Sequence, residues 1–138
     1  MKFSTSISID ASPTQIWDIL TEAEAYPEWD PGMIRLEGKI AHGEKITAYT
    51  KISPDRAFPV TVTEFQPGQK MTWASKMPLG LFKGERTFVI TENDAGGSDF
   101  YMQEEFGGIL LPLIGRTIPD LQPSFDNFAA GLKSRAEA

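Results

Sequence analysis

Residues 2–9 alternate, with Phe3, Thr5, Ile7 and Ile9 on one side and Lys2, Ser4, Ser6 and Ser8 on the other, and this two-residue period predicts a half-buried strand. The stretch that follows, DASPTQIWDIL, changes to a helical period. Ser12 is placed to cap it, Pro13 suits the first helical position, Gln15 completes a capping box, and Ile16, Trp17 and Leu20 form the buried stripe. Six further segments have strand character, roughly 33–37, 44–52, 58–65, 70–77, 82–92 and 98–106. Turn chemistry separates them: SPDR at 53–56, QPGQ at 66–69 and NDAGG at 93–97. Connections this short predict a largely antiparallel sheet. Near the end of the chain Leu121, Phe125, Phe128, Ala129 and Leu132 recur at helical spacing, with Asp126, Asn127, Lys133 and Arg135 elsewhere, so the longest helix is expected there. Pro119 suits its start, whereas Pro123 predicts a kink or a frayed first turn. Strand, helix, short broken helix, six strands and long helix is an α+β order, with the helices on one face of the sheet.

The closing hairpin carries the most specific chemistry. If the 93–97 loop closes with Glu92 opposite Ser98, then Phe88 faces Met102, Arg86 faces Glu104 and Gly84 faces Phe106. Arg86 and Glu104 fall on the apolar face with Phe82, Ile90 and Phe100. A register shifted by two residues changes the partner but not the face. Two charges on such a face are costly to desolvate unless they are paired or the site is wet. Gly84 beside them leaves space, which suits a cavity. A structural ion pair tethering the sheet to the C-terminal helix is the competing reading. Inward residues of the other strands, such as Met71, Val60, Val62 and Ile46, read mainly as core.

Length and charge narrow the classes. A chain of 138 residues fits one domain, 1–138, burying about 70% of its unfolded surface. The net charge is −6 and no run of Lys or Arg gathers in any segment, which argues against nucleic acid and against stable association with anionic membranes, while a transient lipid contact through apolar residues stays open. No window approaches the ~20 apolar residues of a membrane span, and the alternating N-terminus does not resemble the apolar core of a signal peptide. The chain has no cysteine, which excludes disulfides and thiolate chemistry and is compatible with the expected cytoplasmic location. The sole histidine, His42, lies in IAHGEK, a predicted turn, which leaves a histidine metal cluster or a serine triad without its imidazole. GGSD joins two strands and opens no helix, so it is no phosphate loop. Neither metal nor cofactor is expected, and no feature fixes an oligomeric state.

SPTQIWDIL, then YPEWDP, then the Pro-Gly turn before MTW, then GERTF and EEFGG resemble, in this order and over nearly the whole chain, the polyketide cyclase and START-like (SRPBCC) superfamily. The resemblance implies a helix-grip fold: a seven-stranded curled antiparallel sheet around a long C-terminal helix, two short helices between strands 1 and 2, and a cavity for a hydrophobic ligand. EAYPEWDP then resembles the second short helix and its exit near the cavity mouth, with Tyr26 and Trp29 wedged between helix and sheet and Trp29 acting as a buried anchor or a gate. FGGILLPLIGRTIPD becomes the crossing into the last helix, where Leu110, Leu111, Leu113 and Ile114 line an opening. Pro119 and Pro123 depart from the continuous helix of similar sequences.

Such a fold hosts carriers, cyclases and co-chaperones alike. The expectation is a binder of a small hydrophobic or aromatic molecule (lipid, sterol or polyketide-like), anchored by Arg86 and Glu104. Trp73, Phe88, Met102 and Phe106 would line it from the sheet, Leu121, Phe125 and Phe128 from the helix, and Trp29 at the mouth. Two alternatives stay open: a polyketide cyclase or dehydratase using Arg86 as electrophile and Glu104 as base, and a protein-interaction module with a filled core.

Overall fold

The computed structural model describes residues 1–138. Along the chain run β1 (Lys2–Ile9), α1 (Pro13–Leu20), α2 (Tyr26–Trp29), β2 (Met33–Glu37), β3 (Lys45–Thr50), β4 (Ser53–Gln66), β5 (Lys70–Lys76), β6 (Lys83–Glu92), β7 (Ser98–Gly107), α3 (Leu111–Ile114) and α4 (Gln122–Glu137). The seven strands form one antiparallel sheet in the order β1-β7-β6-β5-β4-β3-β2, and bulges in β2, at the end of β3 and in β4 add to its curl. With α4 packed on the concave face, this is a helix-grip fold.

α1 begins where its sequence says it should. The Gln15 backbone N–H donates to Ser12 Oγ at 3.2 Å and the Ser12 N–H donates to Gln15 Oε1 at 2.9 Å, the reciprocal pair of a capping box. Its stripe of Ile16, Trp17 and Leu20 is buried. α4 is fastened to the edge strand β1 by side chains that donate to backbone carbonyls: Gln122 Nε2 to Ser4 O and Lys133 Nζ to Ser8 O, both at 2.8 Å. The Asp10 N–H donates in turn to Glu137 Oε2 at 2.8 Å. The helix therefore covers a sheet edge that would otherwise be free to pair.

Three expectations need correcting. Pro123 neither kinks nor frays the helix; it sits in the first turn behind Leu121, where no backbone donor is required, and Pro119 stays outside in the preceding link. SPDR is not a turn. The reversal occurs at Lys51 and Ile52, with Thr50 paired to Ser53, and SPDR opens β4. Prolines are tolerated there because β5 pairs with β4 only from Thr61 onward, which leaves Pro54 and Pro59 with no partner on that side. Lastly, the room beside Gly84 is filled: a Cβ there would lie 3.2 Å from the Phe106 ring.

The core is a cluster of 22 buried residues centred on aromatics from α2, α4 and the sheet. The Phe128 ring centroid lies 4.9 Å from Trp29, 6.0 Å from Phe88, 6.1 Å from Phe100 and 6.3 Å from Tyr26. Every large apolar side chain left exposed lies toward the opposite part of the molecule, where β3 turns into β4, β5 connects to β6 and β7 leaves the sheet, hereafter the open end.

Close approach of α2 to α4 depends on one glycine. A Cβ on Gly131 would lie 1.9 Å from the Trp29 carbonyl oxygen, which is backbone and cannot swing aside. Gly131→Ala is expected to destabilise the fold by about 2 kcal/mol or more, read as a lower midpoint in urea unfolding; an unchanged midpoint would show that the two helices can separate at little cost.

Candidate functional site

The 93–97 loop fixes the register of β6 and β7. Asn93 Oδ1 accepts from the N–H groups of Ala95 and Gly97, each at 3.1 Å, and the Asn93 N–H donates to Gly97 O at 3.0 Å. Glu92 then pairs with Ser98, Phe88 with Met102, Arg86 with Glu104 and Gly84 with Phe106, as the turn predicts.

Arg86 Nε donates to Glu104 Oε1 at 2.9 Å, and the guanidinium carbon stands 4.9 Å from the centre of the Phe125 ring. The two side chains keep 23% and 16% of their surface exposed, so the pair is neither sealed in the core nor free in solvent. No protein atom accepts from the Nη groups of Arg86, which leaves it hydrogen-bonding capacity to spare.

A second carboxylate belongs to this centre. Asp30, which closes α2, is buried and accepts the Gly32 N–H at 3.1 Å. Burial pushes its carboxyl above the ordinary value of 3.8, while the Gly32 N–H and the charges of Arg86 and Lys51 pull the other way. Tyr26 is fully buried and donates its hydroxyl to Leu20 O at 2.6 Å. Burial, then the negative charge of Asp30, raise its phenol well above the usual range, against a smaller opposing effect of Arg86. Arg86 is thus the cation felt by Glu104, Asp30 and Tyr26 together. The indole N–H groups of Trp29 and Trp73 are buried beside Tyr26 with no acceptor, each a cost of about 1–3 kcal/mol unless an acceptor arrives.

The residues expected to line a ligand divide into two groups. Trp29, Trp73, Phe88, Met102, Phe125 and Phe128 are buried in the closed aromatic core. Arg86, Glu104, Phe106 and Leu121 remain partly exposed, with Phe106 stacked on Phe82 at 5.9 Å. Above them, Ala48, Thr50 and Val60 are only half buried and Phe58 is exposed, so the concave face is uncovered at the open end. His42 sits exposed in a turn. Asp30 escaped the sequence reading because its stretch has no period from which a facing could be read; the one signal was an acid directly after a tryptophan between two prolines.

The sequence profile of the family described as polyketide cyclase / dehydrase and lipid transport matches residues 1–137. The chain belongs to this family. Several solved structures share its fold at low identity. A hypothetical protein from Helicobacter pylori is similar over 99% of this chain and 88% of its own, with a TM-score of 0.80 and 10% identity. A START superfamily protein from Mycobacterium smegmatis is similar over 99% and 97%, with a TM-score of 0.71 and 17% identity. The di-domain ARO/CYC BexL of the BE-7585A biosynthetic pathway is similar over 97% of this chain and 45% of its own, with a TM-score of 0.72 and 13% identity. No curated protein matches the sequence. Polyketide cyclase / dehydrase family membership and the START-like fold point to ligand binding or cyclase activity.

Asp30 makes this centre sensitive to acid with a definite sign. Because its folded value lies above 3.8, the native state binds the proton more tightly than the unfolded chain, so its contribution to stability is greatest in acid and is lost as pH rises through the folded value. Asp30→Asn keeps an acceptor for Gly32 and removes that titration. Its stability relative to wild type, followed by urea unfolding across pH, is expected to rise from 3.8 through the folded value and then level off; a constant difference would mean that the carboxyl is not desolvated.

Proposed function

We propose that the chain binds a small hydrophobic or aromatic molecule bearing one polar group, seated on the concave face at the open end and anchored by Arg86 and Glu104. The observation that carries this reading is the partly exposed ion pair on an apolar wall whose guanidinium has Nη donors left over. A purely structural pair gains most when every donor is satisfied, whereas this one keeps donors free on the sheet face that also carries Phe106 and the half-buried residues of the strands above. Trp73, Phe88, Met102, Phe125 and Phe128 form the floor, and Trp29 locks α2 behind it. The ligand therefore rests on the aromatic core instead of passing through it. The description of the family, which joins cyclase and dehydrase activity with lipid transport, supports this class of ligand.

A second reading, cyclase or dehydratase action on a polyketide-like substrate, is favoured by the acids gathered around Arg86. Glu104 would take a proton from the carbon between two carbonyls, the electron pair would move onto the carbonyl oxygen, and Arg86 would stabilise the resulting enolate. The enolate carbon would then attack a second carbonyl and close a ring, and the alkoxide formed as that C=O π bond breaks would take back the proton from Glu104.

Thermal-shift and calorimetric titration with a panel of lipids, sterols and polyphenols tests both. A ligand held at one hundred times its dissociation constant stabilises the protein by about 2.7 kcal/mol, and Arg86→Leu is expected to weaken that ligand at least about tenfold. Glu104→Gln is expected to abolish turnover with binding kept if the second reading holds, and to leave no activity to lose if it does not. The absence of any binding ligand, together with stabilisation by Arg86→Leu, would sink both and favour an interaction module with a filled core.

A further inference from the structure

The loop between β5 and β6 and the crossing from β7 to α4 form one platform at the open end. The N–H groups of Ile109 and Leu110 donate to Gly80 O at 3.2 Å and Leu81 O at 2.8 Å. Gly108 permits the contact, since a Cβ there would meet Leu81 O at 2.7 Å. On this platform Leu79 is 90% exposed, Ile109 73% and Leu113 71%, the three most exposed large apolar side chains of the protein, and Met77 stands beside them. Leu79 and Gly80 have φ of 62° and 67°, and a left-handed conformation at a leucine is costly and persists where surrounding structure or function demands it. Folding gives no reason to hold a leucine outward in that way.

Charge separates the platform from the rest of the chain. Its two segments, 76–83 and 107–119, carry Lys76, Lys83 and Arg116 and contain no Asp or Glu, in a chain of net charge −6. Acids begin at its borders: Glu85 and Glu105 adjoin Lys83 on the outer face of β6 and β7, and Asp120 follows the second segment. The acidic balance of the whole chain conceals this distribution.

We propose that the platform docks reversibly on an anionic lipid bilayer, Leu79, Ile109 and Leu113 entering the apolar layer while Lys76, Lys83 and Arg116 meet the headgroup phosphates. Apolar tips on two segments that carry three cations and no acid complement an interface that is apolar beneath and negative above. The contact is peripheral; no helix of the chain is long and apolar enough to cross a membrane. The net charge of −6 keeps the affinity modest and salt-sensitive. Docking would turn the concave face at the open end toward the bilayer, but the proposal stands without any ligand there.

Flotation of the full chain with vesicles of phosphatidylcholine alone, or with added phosphatidylglycerol, tests it. Binding is expected to the anionic vesicles, at least tenfold weaker to the neutral ones and weakened by salt. Arg116→Glu should reduce it by roughly fivefold or more, and the double variant Leu79→Glu with Leu113→Glu by at least tenfold, with melting temperatures unchanged because these side chains pack against little. No binding to either vesicle would overturn the proposal, as would binding indifferent to the leucine substitutions. A concentration-dependent dimer in light scattering, abolished by the same double variant while vesicles stay unbound, would reassign the surface to a contact between two copies. Ligand-induced thermal shifts measured on the double variant report the concave face separately, so the two readings can fail independently.

Discussion

The ring of Phe128 sets where everything else lies. It is contributed by α4 and meets rings from α2, β6 and β7 within 6.3 Å, so one side chain joins the terminal helix, the short helix and the sheet. Truncating a buried aromatic of this kind costs about 3–5 kcal/mol, and here the loss would fall on three interfaces at once. Phe125, three residues earlier, is carried by the same helical repeat toward the open end, where its ring supports the Arg86 guanidinium at 4.9 Å. The position of the interior cation is thus a consequence of how α4 is seated.

That cation makes the remaining electrostatics intelligible. Both Glu104 and Asp30 feel this guanidinium, the first through a hydrogen bond and the second through its charge alone. Glu104 takes the direct hydrogen bond from Arg86, while burial pushes the more deeply placed Asp30 toward its neutral form. Arg86 and Glu104 keep part of their surface in contact with solvent. A lid that excluded water would change this balance, and so would a ligand. Chemistry at this site is therefore coupled to whatever covers it.

Much of this was legible because periodic elements carry their own facing. The alternation in β6 and β7, closed by an asparagine-led loop, placed Arg86 opposite Glu104 before any coordinates were needed, and Ser12 with Gln15 announced the start of α1. Irregular backbone carries no such code. Asp30 could not be oriented, and the space expected beside Gly84 is occupied by Phe106, an effect of side-chain size across the strand pair that a facing argument does not contain. The extent of β4 was missed because Pro54 in SPDR read as a turn residue; the absence of β5 along that half makes it harmless. Net charge misled in its own way, by averaging loops without acids into an acidic whole.

Unequal strand lengths finally explain why the open end is open. β4 has 14 residues and β5 only 7, so the half of β4 before Thr61 projects past its neighbour with one edge unpaired. An unpaired edge is a template for another strand, and proline is among the residues that prevent such pairing. Pro54 and Pro59 lie on that half. Strand addition, the simplest way for a peptide to occupy a sheet corner, is thereby disfavoured, while the apolar side chains around it stay available. A surface closed to strands and rich in apolar groups selects partners that need no backbone hydrogen bonds, which is a property of hydrophobic small molecules and of bilayers alike.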